Sequence, residues 1–177
     1  MVEIREGTAV DAAVVLSFVR KKAQFDRDLG AFCGELQTSE ELIRRHLFGR
    51  HPMAYSLLSE AGGLPVGFAL FYYRYSSFQG RPSVWLDDLF VNSEARRAGV
   101  GLALMRRLAA IAMGNGCSHI GWFASVRNAI GVAFYRRLGA TVVHQSGDSV
   151  TFQIEPTELL GDDAFVEPGG APDFRAD

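Results

Sequence analysis

Residues 83–91, Ser-Val-Trp-Leu-Asp-Asp-Leu-Phe-Val, are largely apolar on both faces of the strand they would form, which marks a central strand of a sheet. The strand runs into Asn92-Ser93-Glu94-Ala95-Arg96-Arg97-Ala98-Gly99-Val100-Gly101 and then into a helix reaching about Met113. Leu102, Met105, Leu108, Ala109 and Ala112 form the apolar stripe of that helix. A central strand, a glycine-bearing loop and an amphipathic helix in this order commit the chain to a mixed α/β fold. Glycine permits positive φ and close backbone approach, and the N–H groups of a helix start, with the dipole behind them, form an anion site. The same run also reads as a tight loop with surface arginines. No Gly-Lys-Ser/Thr follows, which excludes a P-loop, and the third glycine and early βαβ unit of a dinucleotide fingerprint are missing.

The rest of the chain falls into place around this unit. Residues 2–5 alternate as a short edge strand. Residues 11–22 read as a helix with Ala13, Leu16, Val19 and Ala23 at helical spacing and Arg20, Lys21 and Lys22 as a solvated face in its last turns. A loop is expected at 26–34. Thr38-Ser39-Glu40-Glu41 has capping-box spacing and opens a helix to about Phe48. Residues 54–60, the Gly62-Gly63 turn and residues 64–75 read as strand, turn and longer strand. Beyond the central helix come a strand (118–124), a helix (128–138) and a hairpin (140–145 with 149–154). The predicted order is βααβββαβαββ, one α/β (α+β) domain over residues 1–155.

Charge narrows the function classes. The chain has 177 residues, 18 Lys+Arg against 20 Asp+Glu and a net charge of -2. Seven acids and one base fall within 155–177, so the preceding body carries 13 acids and 17 bases, a net of +4. Such a body suits an anionic small molecule and predicts neither a nucleic-acid nor a membrane partner. Residues 156–177, acidic and holding three of the six prolines, are expected to be an extended tail. No apolar stretch approaches a bilayer crossing, and Glu3, Arg5, Glu6 and Asp11 break any signal-like run, so a cytoplasmic location is expected. Cys33 and Cys117 are expected as reduced thiols; they and His46, His51, His119 and His144 share no metal spacing, and no metal is expected.

Arg96 to Gly101 after a central strand, followed by Asn128 and then Phe134-Tyr135-Arg136-Arg137-Leu138-Gly139-Ala140, resembles the acetyl-CoA-dependent GNAT N-acetyltransferases. The resemblance spans roughly residues 4–154. It implies a GNAT-like, mixed and mostly antiparallel central sheet with helices on both faces, and acetyl-CoA as cosubstrate. Gly67-Phe68-Ala69-Leu70-Phe71-Tyr72-Tyr73, Leu86-Asp87-Asp88-Leu89-Phe90-Val91 and Ala133-Phe134-Tyr135-Arg136-Arg137 are most similar to the spermidine/spermine (diamine) acetyltransferases. Three positions depart from that subgroup: Ser76 stands where an aspartate is usual, Asp87 where a glutamate is, and Leu138 where a basic residue is. Relatives of the subgroup are commonly homodimers.

The resemblance implies that Arg96, Arg97, Ala98, Gly99, Val100, Gly101 and Leu102 hold the cofactor pyrophosphate, with Asn128 and Gly131 along its arm. The backbone of Leu89, Phe90 and Val91 would meet the thioester and pantetheine. Acyl transfer to an amine needs a base for the ammonium proton. Asp87 and Asp88 point to opposite strand faces among apolar neighbours, where desolvation raises a carboxyl pKa; Asp87 is the preferred base, and both are candidate acceptor contacts. Tyr135 is the candidate acid toward the departing sulfur, its alternative being a core tyrosine. Asn128 serves equally as an N-cap. Phe25-Asp26-Arg27-Asp28 resembles the family's amine-binding loop and also reads as a plain polar loop. The leading function is an acetyl-CoA-dependent N-acetyltransferase acting on a small di- or polyamine-like primary amine by direct attack in a ternary complex. Its alternatives are a protein or peptide amine acetyltransferase and a non-catalytic CoA-binding regulatory module.

Overall fold

Among the described residues, alternating apolar positions and glycine turns build seven strands, β1 (Val2–Glu6), β2 (Tyr55–Ala61), β3 (Leu64–Ser76), β4 (Arg81–Val91), β5 (Ile120–Ser125), β6 (Thr141–Ser146) and β7 (Ser149–Ile154). The computed structural model describes residues 2–160. The strands form one sheet in the order β1-β2-β3-β4-β5-β7-β6. Pairing is antiparallel for β1/β2, β2/β3, β5/β7 and β6/β7, and parallel for β4/β5 at Val84–Ile120 and Trp85–Gly121. The expected mixed, mostly antiparallel sheet is present. Helices α1 (Ala12–Asp28), α2 (Glu40–Leu47), α3 (Val100–Gly114), α4 (Ala129–Arg137) and α5 (Pro156–Leu160) complete the fold.

The described residues divide into two compact units, one formed by residues 2–72 with Leu86–Leu104, the other by Tyr73–Trp85 with residues 105–160. In the first, Ala12, Val15, Leu16 and Phe18 of α1 pack with Ile43, Leu58 and Phe68. Phe18 stacks on Phe68 at 5.2 Å and tilts against Phe90 at 6.4 Å. Ser39 caps α2 by accepting the Leu42 N–H. In the second, Trp122 and Phe152 stack at 5.8 Å, and Leu108, Ala109, Ala112, Ile120 and Ile154 are buried.

Three sequence expectations are corrected. The first helix does not end at Lys22 but continues to Asp28, so Phe25 and Asp26 lie on a helix rather than in a loop. The extension is held by the Lys22–Asp26 and Gln24–Asp28 pairs at i,i+4 and by Phe25, whose ring meets Phe90 edge-on at 6.3 Å. Of the expected solvated face, Arg20 and Lys21 are exposed, but Lys22 is half-buried, its ammonium engaged by Asp26 and Asp88. The tail does not begin as extended chain: Pro156 opens α5, where its fixed φ suits a first helical position, and Pro156 and Leu159 are buried. The remainder of the expected tail, 161–177, lies outside the described residues.

A charged cluster ties β1 to the turn before α1. Both Arg5 Nη atoms donate to Asp11 at 2.8 Å, and the Thr8 N–H and hydroxyl donate to the same carboxylate at 2.8 and 2.9 Å. Arg5, desolvation notwithstanding, holds the Asp11 carboxyl well below the usual carboxylate range. A depressed carboxyl stabilises the fold fully above its unfolded value, and that contribution is lost as pH falls toward the folded one. Asp11→Asn is therefore expected to cost about 2 kcal/mol in urea unfolding at neutral pH, the scale of charged hydrogen bonds. The deficit against wild type should shrink below about pH 4, where the unfolded carboxyl protonates. A pH-independent deficit would assign the loss to packing.

Candidate active site

The first unit brings together the carboxylates and the glycine loop. Asp87 and Asp88 occupy adjacent positions of β4 and so project to opposite faces. Asp87 reaches solvent, yet the surrounding protein desolvates it enough to push its carboxyl above the ordinary value, against the pull of the Lys22 ammonium. Asp88 is more enclosed, its side chain 21% exposed. Desolvation pushes it up to about 6; Lys22 opposes the rise, while Asp87 and Asp26 add to it. A carboxylate with this elevation is better matched to accepting a proton near neutral pH than an ordinary aspartate.

Past β4, Asn92 is buried; its N–H donates to the Val66 carbonyl at 2.9 Å and its Oδ1 accepts from Lys21 Nζ at 3.0 Å. A 3-10 turn over Ser93–Ala95 leads to Arg96. Arg96 folds back: its Nε donates to the Val91 carbonyl at 3.0 Å and its guanidinium lies 5.2 and 5.7 Å from the Phe25 and Phe90 ring centres. Of the residues assigned to phosphate, it is thus the one that fastens the loop to β4. Arg97, Ala98 and Gly99 are exposed, with Arg97 at φ 65° and Gly99 at φ 81°. Left-handed backbone is strained for arginine and natural for glycine, and it turns successive N–H groups toward one concavity. The Gly99 carbonyl accepts the first intrahelical bond, from Ala103 at 2.9 Å. The N–H groups of Val100, Gly101 and Leu102 therefore have no acceptor within the helix. An exposed left-handed loop and these donors fit a pyrophosphate.

Gly101→Val tests that fit, since a phosphate held by the Gly101 N–H would meet the added branches. CoA affinity measured by calorimetry should fall at least about tenfold, with the fold retained by circular dichroism. An unchanged affinity in the folded variant would remove the phosphate-loop assignment. Leu89, Phe90 and Val91, assigned to the cofactor through their backbone, have half-buried side chains, of which Phe90 packs on the α1 core.

In the second unit, Asn128 caps α4: its Oδ1 accepts the Gly131 N–H at 2.9 Å. A Cβ on Gly131 would lie 2.5 Å from the Asn128 carboxamide nitrogen, so glycine there lets the cap close over the helix end. Asn128 and Gly131 are one local device, and the N-cap reading of Asn128 holds. Tyr135 is half-buried on α4, its ring centre 4.9 Å from that of Trp122, 5.4 Å from Phe134 and 5.5 Å from Phe152. The ring is fixed by aromatic packing, which positions its hydroxyl. Cys117 is buried, and burial pushes its thiol up to about 11, away from use as a nucleophile.

Sequence reasoning missed Lys22. Its ammonium pairs with Asp26 and lies 3.7 Å from Asp88 Oδ1. The i,i+4 spacing of Lys22 and Asp26 was the available signal, but only had α1 been extended through Asp28. The contact with Asp88 has no local signature at all.

The acetyltransferase (GNAT) family model matches residues 23–140. The thialysine N-epsilon-acetyltransferase of Mus musculus is 29% identical over 160 residues, covering 86% of this chain and 91% of that protein. The spermidine/spermine N(1)-acetyltransferase-like protein 1 of Homo sapiens is 28% identical over 165 residues, 89% of this chain but 23% of that protein. Among solved structures, the PaiA N-acetyltransferase of Thermoplasma acidophilum, in complex with coenzyme A, matches with a TM-score of 0.69 at 16% identity, covering 88% of this chain and 99% of that one.

Proposed function

Because the chain belongs to the acetyltransferase (GNAT) family, we propose that it transfers an acetyl group from acetyl-CoA to a small, di- or polyamine-like primary amine by direct attack in a ternary complex. The observation that carries this reading is the pair of elevated carboxylates on β4 followed directly by the exposed glycine loop at the start of α3. Acetyl-CoA, when bound, supplies the thioester. The N–H groups of Val100, Gly101 and Leu102 hold its pyrophosphate, with Arg97, Ala98 and Gly99 forming the loop around it. Leu89, Phe90 and Val91 offer backbone along its pantetheine arm; Asn128 and Gly131 are further residues that the resemblance assigns to the cofactor.

An alkylammonium is mostly charged at neutral pH and has no lone pair to attack with. The Asp87 carboxylate takes its proton, directly or through water. The Tyr135 hydroxyl holds the proton that ends on the departing sulfur. Phe25, Asp26, Asp87 and Asp88 are the acceptor contacts, Asp26 and Asp88 drawn together at Lys22 and Asp87 projecting from the other face of β4. A second ammonium about 4 Å from one such carboxylate, at an effective dielectric of about 20, gains roughly 4 kcal/mol before the costs of desolvation and, at Asp26 or Asp88, of displacing the Lys22 ammonium. That favours a dicationic acceptor, and the relatives named for thialysine and spermidine/spermine support a small-amine acceptor. The reading includes a cytoplasmic homodimer. The free thiols of Cys33 and Cys117 suit a reducing compartment, and the edge strand β6, with Val142 and Val143 exposed, offers a face for a second copy. No described helix is long and apolar enough to cross a membrane.

The test is mass spectrometry of a panel of diamines, monoamines and peptides incubated with the protein and acetyl-CoA. Acetylated small amines are expected. Better turnover of a peptide amine would move the acceptor to proteins, and CoA binding without turnover of any amine would leave a regulatory module.

A further inference from the structure

The acceptor carboxylates of the proposed site already hold a cation belonging to the chain itself. Lys22 Nζ pairs with Asp26 Oδ2 on its own helix and sits 3.7 Å from Asp88 Oδ1 on β4. The three side chains are 22%, 24% and 21% exposed, so the cluster is mostly enclosed yet still reached by solvent. An ordinary i,i+4 surface pair lacks both features: it stands in water and has no third partner from another element. Neighbouring Lys21 behaves differently, spending its ammonium on the Asn92 carboxamide. Of the two lysines, it is Lys22 that faces the carboxylates.

We propose that Lys22 is a specificity-determining residue of the acceptor site. Its ammonium occupies, between Asp26 and Asp88, the place a substrate's second ammonium would take, and so sets how strongly the site distinguishes a diamine from a monoamine. This rests on the acceptor side of the function proposed above. A diamine that puts its distal ammonium against Asp26 and Asp88 must displace the Lys22 ammonium, exchanging one cation for another with little net Coulomb gain. With Lys22 uncharged, the same two carboxylates are uncompensated, and the second ammonium gains their full attraction. A monoamine has one ammonium for all of these groups and gains less. Specificity is a difference of affinities, and here the chain lowers one of the two by competing with it.

The experiment is calorimetric binding of 1,4-diaminobutane and 1-aminobutane to the full chain at low ionic strength. It uses wild type, Lys22→Met, which keeps the aliphatic stem, and Lys22→Arg, which keeps the charge; Lys22→Gln replaces the Met variant if that one does not fold. The ratio of diamine to monoamine affinity should rise about tenfold in the uncharged variant and stay within about twofold of wild type in Lys22→Arg. A ratio that does not move on loss of the charge, or that rises equally in Lys22→Arg, overturns the proposal. Because the readout is binding, acetylation assays on the same preparations judge the catalytic reading separately. A shifted ratio with no acetylation of any amine would sink the enzyme and leave Lys22 in this role.

Discussion

Tyr135→Phe is expected to lower kcat about 10²-fold, the low end for loss of a general acid, while the protein stays folded. The separation of the two effects follows from the packing. Trp122, Phe134 and Phe152 surround the ring at centroid distances of 4.9, 5.4 and 5.5 Å, and phenylalanine preserves all three contacts. Stability should change by no more than about 1 kcal/mol, the scale of one neutral hydrogen bond. CoA affinity should fall far less than kcat, because the hydroxyl acts when the sulfur acquires charge and not when the cofactor docks. Steady-state kinetics with a good amine, calorimetry with CoA and urea unfolding measure the three quantities. A kcat within about twofold of wild type would return Tyr135 to the aromatic core and leave the sulfur to be protonated by water.

Where sequence and structure agree, the signal was local and dense. Strand β4 announced itself by apolar residues on both faces, and the Gly99–Gly101 loop by a glycine position that the structure shows in left-handed backbone. The Asn128 cap could be read from residue type alone, although the reason for Gly131 emerges only when the carboxamide is seen lying over it. The acceptor side was less legible for a physical reason. Gln24, Asp26, Arg27 and Asp28 look like loop composition, and they are helical because pairs one turn apart and the Phe25–Phe90 contact hold them there. The ring contact comes from β4, distant in sequence. The same distance hid the Lys22–Asp88 contact and the stacking of Arg96 on Phe25 and Phe90. Periodicity reports which face of an element is apolar; it does not report which charged side chains two elements bring together.

Asp87→Asn is expected to lower kcat/KM about 10²- to 10³-fold at neutral pH, within the range for loss of a general base. Asparagine is nearly isosteric and cannot take the ammonium proton, so CoA affinity and fold should be preserved. The wild-type pH profile carries a second signature. Burial raises the Asp87 carboxyl, and the neighbouring Asp88 stands at about 6. A base whose pKa is raised is lost earlier on acidification, so kcat/KM should begin to fall at a higher pH than the value near 4 at which an unperturbed aspartate titrates. The two carboxyls are neighbours of like charge, so the acid limb belongs to the pair. Asp88→Asn separates them. With Asp87 as the base, that variant keeps most of its turnover, and its acid limb moves to lower pH because a nearby negative charge is gone. If Asp88→Asn abolishes turnover while Asp87→Asn loses less than about tenfold, the base is Asp88. The ammonium of Lys22, 3.7 Å from Asp88 Oδ1, would then be holding the base in its charged form. An acid limb near 4 in wild type would remove both carboxylates from proton transfer and leave them as contacts to the acceptor's charge.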